Sequence, residues 1–412
     1  MSALDHELEQ VFGTVEPTVI PAHEPPRGRA KHAAPVTDSW SQASTRYGGA
    51  HADTPGESRG AIVPPRPPIV SGRQFLNEFK PIEPIVDGLP IGRGTVVSVT
   101  GATGSGKTTL CALLEVSLYA KRPFAGREVT GGSVLVLAGE NPDDYAMHLA
   151  ATLQEHGIDA DDLLLCGAQG FLVMPGTFNV SYELDDIHER VKALGIDLVA
   201  VFVDTSAAFY VEDDENNNVS MRRHASTMRT LTQLPGNPTV FVLCHPVKNA
   251  SKDNLTPRGG GAFLAEVDAN LTVSKDDSGV VTLHWQGKIR GTPFDPIRFE
   301  LVQTQLEGRV DARGRPIYSV AARHTPDERV EAIEAKSLDD ENRLLIAMQR
   351  KPGASIADLA MASGFTTGPG SPQKSRVHRL LGILDKQGLA KKGRTGAWEL
   401  TREGRKAADE LH

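Results

Sequence analysis

The sequence predicts an α/β protein whose core is a mostly parallel sheet with an antiparallel extension. Three observations predict it. Short, near-continuous apolar runs alternate with helical stretches through the middle of the chain, which marks strands buried on both faces. After Asn254 the pattern turns to alternating apolar and polar residues, the mark of antiparallel strands with one wetter face. The last seventy residues read instead as helix, turn, helix and hairpin.

Taken in chain order, the first segment, 1–72, holds ten of the 27 prolines among Ser, Thr, His, Gly and Ala. It has too little to bury against its ordering entropy and is expected to be a disordered arm. Within it Pro64-Pro65-Arg66-Pro67-Pro68 reads as an extended linker or as a polyproline ligand. An α/β domain is expected over 73–322, with strands at 96–100, 133–138, 163–166, 198–204 and 239–244, then 271–274, 280–285 and 298–302. A charged linker is expected over 323–340, followed by a C-terminal domain, 341–412.

Over 412 residues, 39% apolar and 23% charged composition excludes wholesale disorder, and a net charge of −8 excludes a uniformly basic nucleic-acid coat. Cys111, Cys166 and Cys244 match no metal-ligand spacing, and no run of about 18 apolar residues exists to span a bilayer. Asp5, Glu7 and Glu9 interrupt any signal-peptide core. A reduced, cytoplasmic protein without membrane contact is expected.

The strongest motif is Gly101-Ala102-Thr103-Gly104-Ser105-Gly106-Lys107-Thr108, which satisfies G-x-x-x-x-G-K-[ST] between a strand and a helical run opening at Thr109. Glycines let successive backbone N–H groups curl around phosphates, Lys107 reaches the β- and γ-phosphates, and Thr108 can ligate Mg²⁺. Residues 101–109 are therefore the expected ATP cradle. The run Leu198 to Val203 ends in Asp204, a Walker B candidate for the metal. Thr205 follows it, so the paired acids with which many AAA+ ATPases activate water are missing, and Glu140, after the second core strand, is the candidate base.

With the strand ending Val242-Leu243-Cys244-His245, this ordered set resembles the RecA/DnaB-like P-loop ATPases, and among them the RepA-type hexameric helicases of plasmids and phages. The resemblance covers about 75–306 and implies a RecA-like core. It implies that Glu140 is the catalytic carboxylate, that Asp204 and Thr108 hold Mg²⁺, and that His245 senses the γ-phosphate. It also implies that the loop after His245 lines a channel for single-stranded DNA through Lys248, Lys252 and Arg258; the plain alternative is a solvent loop. Lys288 and Arg290, a K-x-R pair expected at a strand end, would be fingers acting on a neighbouring subunit of a ring, by the resemblance a hexamer, or else an exposed basic edge. Glu212 to Glu215 would repel DNA and are expected in an exposed loop.

In the C-terminal domain Val377, Leu380, Leu381 and Leu384 fall on one helix face, with Lys374, Arg376 and Arg379 on the other, before a hairpin tipped by Lys391, Lys392 and Arg394. From 371 to 406 there are ten Lys or Arg against three acids. The pattern resembles a winged helix, which implies duplex DNA or a protein as partner. Three readings stand: a RepA-like replicative helicase, a RecA/RadA-like recombination or loading ATPase, and an ATP-controlled DNA-binding regulator or partition protein. The arm is expected to recruit replication partners or tether subunits.

Overall fold

The computed structural model describes residues 69–78, 83–163, 169–211, 217–251, 253–367, 370–393 and 396–411. The expected arm up to residue 68, Cys166, the 212–215 acids, Lys252 and Arg394 lie outside the described residues. The chain divides between Phe75 and Leu76. Of the first unit, the described part is Ile69 to Phe75, in which Ser71 Oγ accepts from the amide of Gln74 at the start of helix α1 (Gly72–Glu78). The second unit, Leu76–His412, carries everything below.

Its centre is a nine-stranded sheet in the order β3-β2-β4-β5-β1-β6-β7-β8-β9. The strands are β1 (Val96–Thr100), β2 (Ser133–Ala138), β3 (Phe171–Pro175), β4 (Leu198–Asp204), β5 (Thr239–Cys244), β6 (Ala269–Lys275), β7 (Val280–Trp285), β8 (Ile297–Val310) and β9 (Pro316–His324). Every residue of β1, β2, β4 and β5 is buried, which is why these read as unbroken apolar runs. Phe202 and Phe241 stack at 4.8 Å between ring centroids across β4 and β5. Each such fully buried side chain contributes about 1.5–3 kcal/mol.

Of the strand expected at 163–166, Leu163 follows a short 3₁₀ turn and 164–166 lie outside the described residues. The sheet also holds a strand that was not expected, β3, Phe171–Pro175, which pairs with β2 from Val134↔Phe171 to Ala138↔Pro175. Two expectations are corrected. The antiparallel extension begins at β7, because β6 lies parallel to β1 (Val97↔Ala269). The linker expected over 323–340 is the end of β9 and the first half of a 24-residue helix, α7 (Asp327–Arg350). Only Val330, Ser337 and Asp340 are buried in that half, so its periodicity is carried by few apolar groups.

Helices α2 (Lys107–Ala120), α3 (Pro142–Glu155), α4 (Val180–Ala193), α5 (Asn218–Thr230) and α6 (Gly260–Glu266) connect the parallel strands. β8 and β9 run back to α3, where His156 and Arg323 tie them together through Ala322 O and Glu155. The C-terminal residues form α8 (Ile356–Ala362), α9 (Lys374–Lys386), the hairpin β10 (Ala390–Lys392) and β11 (Trp398–Leu400), and α10 (Arg402–Asp409). They close a separate small core with α7 around Leu344, Phe365, Val377, Leu380 and Leu384. Among the described residues no helix is long and apolar enough to cross a membrane. Cys111 and Cys244 are buried free thiols.

Candidate nucleotide site

The carboxyl ends of β1, β2, β4 and β5 come together at one edge of the sheet, where open α/β sheets gather ligands. They surround a cavity of about 340 Å³ lined by Gly104, Lys107, Thr108, Glu140, Asp204 and His245 among others. Gly104 and Gly106 take φ of 76° and 95°, a left-handed backbone that turns the loop into α2 at little cost only for glycine. A Cβ on Gly101 would stand 2.4 Å from the carbonyl oxygen of Val273 and 2.6 Å from Ser105 Oγ, so the loop must begin with glycine. The nearly bare α2 N-terminus faces this space.

Lys107 is buried, with Nζ donating to the carbonyls of Gly101 at 2.7 Å and Ala102 at 3.2 Å. Burial pulls its pKa down, while Asp204 opposes this. Burial pushes the Asp204 carboxyl up to about 6; the hydroxyl of Thr108, donating to it, pulls the other way, and Glu140 adds to the rise. Thr108 and Asp204 thus form a hard-oxygen pair suited to Mg²⁺ beside the phosphates. Thr205, also on the cavity wall, has a buried hydroxyl with no partner among the described residues. These residues fit a nucleotide with its metal: Lys107 and the loop amides would hold phosphate oxygens, Thr108 and Asp204 the ion.

Glu140 and His245 approach each other, with His245 Nε2 4.0 Å from Glu140 Oε2. The loop after His245 is closed at its base, where the Arg258 amide donates to His245 O at 2.9 Å and Val247 to Thr256 O at 3.0 Å. Lys248 is exposed on this loop, whereas Arg258 is half-buried at the base beside His245. Phe263, the one aromatic near the loop, is fully buried in the core and cannot stack on a base.

Thr109 also lines the cavity, with Oγ1 3.3 Å from His148 Nδ1. His148, together with Leu301 of β8 and Val320 of β9, lines the cavity and was missed in the sequence. His148 Nδ1 also lies 3.2 Å from Val320 O. Its signal was absent because these residues meet across 172 positions.

Lys288 and Arg290 follow β7 in a loop, which corrects the expected position at a strand end. Arg290 Nη1 lies 2.9 Å from Asp268 Oδ1, and the buried Asp268 also accepts from Arg229 and from the Val96 amide. Val96 opens β1, so the pair sits at the sheet edge opposite the cavity. In the C-terminal residues, Arg376 is not a free cation: it pairs with the buried Asp340 and lies 4.6 Å over the Phe365 ring. Lys374, Arg379 and Lys391 are exposed, and Lys392 lies 5.7 Å over Trp398.

Behind the cavity, Glu115 of α2 is buried and accepts from the Tyr145 hydroxyl at 2.7 Å. Burial pushes its pKa up to about 8 from 4.5, Tyr145 partly offsetting this and Asp204 adding to it. The folded chain therefore holds this proton where the unfolded chain has lost it, so stability falls as pH rises from about 4.5 to about 8, at up to about 1.4 kcal/mol per pH unit. Glu115→Gln is expected to flatten the Tm profile across that window and to be the more stable protein at pH 8; parallel wild-type and variant slopes would refute it.

A family model described as an AAA domain matches residues 64–251, the stretch that carries the P-loop, Glu140, Asp204 and His245. None of the curated proteins matches the chain. The match supports a P-loop, AAA-type ATPase domain over those residues.

Proposed function

We propose that this chain is a subunit of a ring-forming, DNA-acting ATPase, in particular a RepA-like replicative helicase that couples ATP hydrolysis to movement on single-stranded DNA. The observation that carries the reading is the Glu140–His245 approach, which puts the candidate base and the root of the basic 246–259 loop on one wall of the nucleotide cavity. Glu140 would orient the attacking water, and His245, touching both Glu140 and the Arg258 backbone, would pass the γ-phosphate state to Lys248 and Lys252. Bound Mg²⁺ would neutralise charge developing on the phosphoryl oxygens. The loop cations suit a salt-sensitive, sequence-tolerant hold on phosphates, without base stacking.

The C-terminal core favours a second reading. A helix pair followed by a two-stranded hairpin bearing Lys391 and Lys392 supports a winged-helix reading, and such a module on an ATPase suits a regulator or partition protein that binds duplex DNA. A recombination or loading ATPase shares the same core. ATP hydrolysis measured with and without single-stranded DNA, beside the mass of the assembly and unwinding of a forked duplex, separates them. A DNA-stimulated, unwinding ring is expected. Hydrolysis indifferent to DNA would sink the helicase reading in favour of the regulator, and a DNA-stimulated assembly without unwinding would favour the recombinase or loader.

A further inference from the structure

A second cleft, of about 670 Å³, opens where α7 and α9 meet the ends of β6 and β8. Lys275, Arg329, Lys336 and Arg379 stand on its walls, from three different elements. Its two acids are already engaged, Glu300 by Arg323 and Arg329, and Asp340 by Arg376. A neighbouring cleft shares Lys275, Gly279 and Arg379 with it and is lined further by His378 and Lys386, on the exposed side of α9.

Two acids of the chain sit on this track: Asp276, whose Oδ1 accepts from Ser278 and from the amides of Gly279 and Val280 within its own turn, and Asp277. Asp277, at the β6–β7 turn, receives Lys386 Nζ on its carboxylate at 2.8 Å and Arg379 Nη1 on its carbonyl at 3.0 Å. An exposed, solvent-screened pair of this kind contributes little, so a stronger polyanion can displace it. One extended strand presents a single row of phosphates, which suits a groove with its cations in file along α7 and α9. Leu301 lies on the wall of this cleft and also on the wall of the nucleotide cavity, 3.4 Å from where a Cβ on Gly106 would be.

We propose that this junction is a binding groove for the phosphate backbone of a single nucleic-acid strand, with Asp277 as its internal competitor. The proposal rests on the DNA-acting reading above and adds a second tract, Lys275, Arg329, Lys336 and Arg379, to the loop after His245. A strand that enters takes Arg379 and Lys386 from Asp277 and frees α9 from the turn. Leu301 gives the nucleotide cavity direct contact with that event.

The test is binding of fluorescein-labelled dT30 to the full chain, read by anisotropy over a salt series. Asp277→Asn is expected to tighten binding about three- to fivefold, because it removes the competing charge. Lys275→Gln with Lys336→Gln is expected to weaken it about tenfold and to reduce the slope of log K against log salt by about 1.4, for two lost phosphate contacts. All three positions tested are exposed, and the two variants move in opposite directions. If the lysine pair leaves affinity and slope unchanged while wild type binds, the groove is refuted and the DNA-acting reading stands. Unchanged or weaker binding by Asp277→Asn refutes the competitor. Failure of wild type to bind at low salt refutes both.

Discussion

Lys107→Ala is expected to slow ATP hydrolysis by about 10²- to 10³-fold and to leave the chain folded. Among the described residues the ammonium is the one Lys or Arg group on the wall of the nucleotide cavity, so its loss removes that fixed charge from a phosphate bound there. Its removal loses two hydrogen bonds, to Gly101 O and Ala102 O, each worth about 1 kcal/mol net. It also relieves the desolvation that lowers the Lys107 pKa, so the two effects on stability oppose one another. A second consequence follows for Asp204, whose carboxyl is held down in part by Lys107. Without the ammonium, Asp204 takes up a proton at higher pH, and residual Mg²⁺-dependent hydrolysis should decline sooner on acidification. Steady-state rates with Tm measured alongside decide the matter. A folded variant that retains more than about a tenth of the rate would mean that the phosphates are not held at this loop.

The parts legible in the sequence are those whose chemistry is local. A phosphate cradle needs contiguous glycines, a lysine and a hydroxyl, and a metal acid needs only the end of a buried strand, so 101–109 and Asp204 could be placed from the chain alone. Buried strands on both faces announce themselves by unbroken apolar runs. The edge strand β3 does not: Val173 is exposed and the 171–175 run is no more apolar than the one at 163–166. The first half of α7 hid as a linker because its buried positions include Ser337 and Asp340, which no hydrophobic period marks. Asp340 is buried because Arg376 neutralises it from 36 residues away, and that same pairing removes Arg376 from the cations offered to DNA. Periodicity tells which face of a helix is turned inward; it does not tell which charge waits there. For the same reason the roles of His148, Leu301 and Val320 at the nucleotide cavity were invisible, since β8 and β9 reach it only through the long return of the sheet onto α3.

Arg290→Ala carries the largest expected effect, a loss of about 10³-fold or more in hydrolysis by the assembled protein. The geometry restricts how that can arise. β1 runs from Val96, whose amide bonds Asp268, to Thr100, where the P-loop begins, and Arg290 is held at the Val96 end by the same Asp268. Arg290 therefore stands a full strand length away from its own nucleotide, on the opposite edge of the sheet. An arginine in that position either stabilises the fold or serves the cavity of another copy. Its guanidinium is 69% exposed despite the ion pair, and Arg229 already satisfies the other oxygen of Asp268, so the fold has little need of it. Mixing decides between the two. Arg290→Ala subunits keep an intact nucleotide cavity, and Lys107→Ala subunits keep the finger; each alone should be inactive, and the mixture should recover part of the wild-type rate as the two meet around a ring. Recovery is expected to rise with the fraction of Lys107→Ala subunits and then fall. If Arg290→Ala hydrolyses ATP at the wild-type rate, or if the mixture stays at the rate of its parts while both variants assemble normally, no finger acts across the interface and the pair is an exposed basic edge.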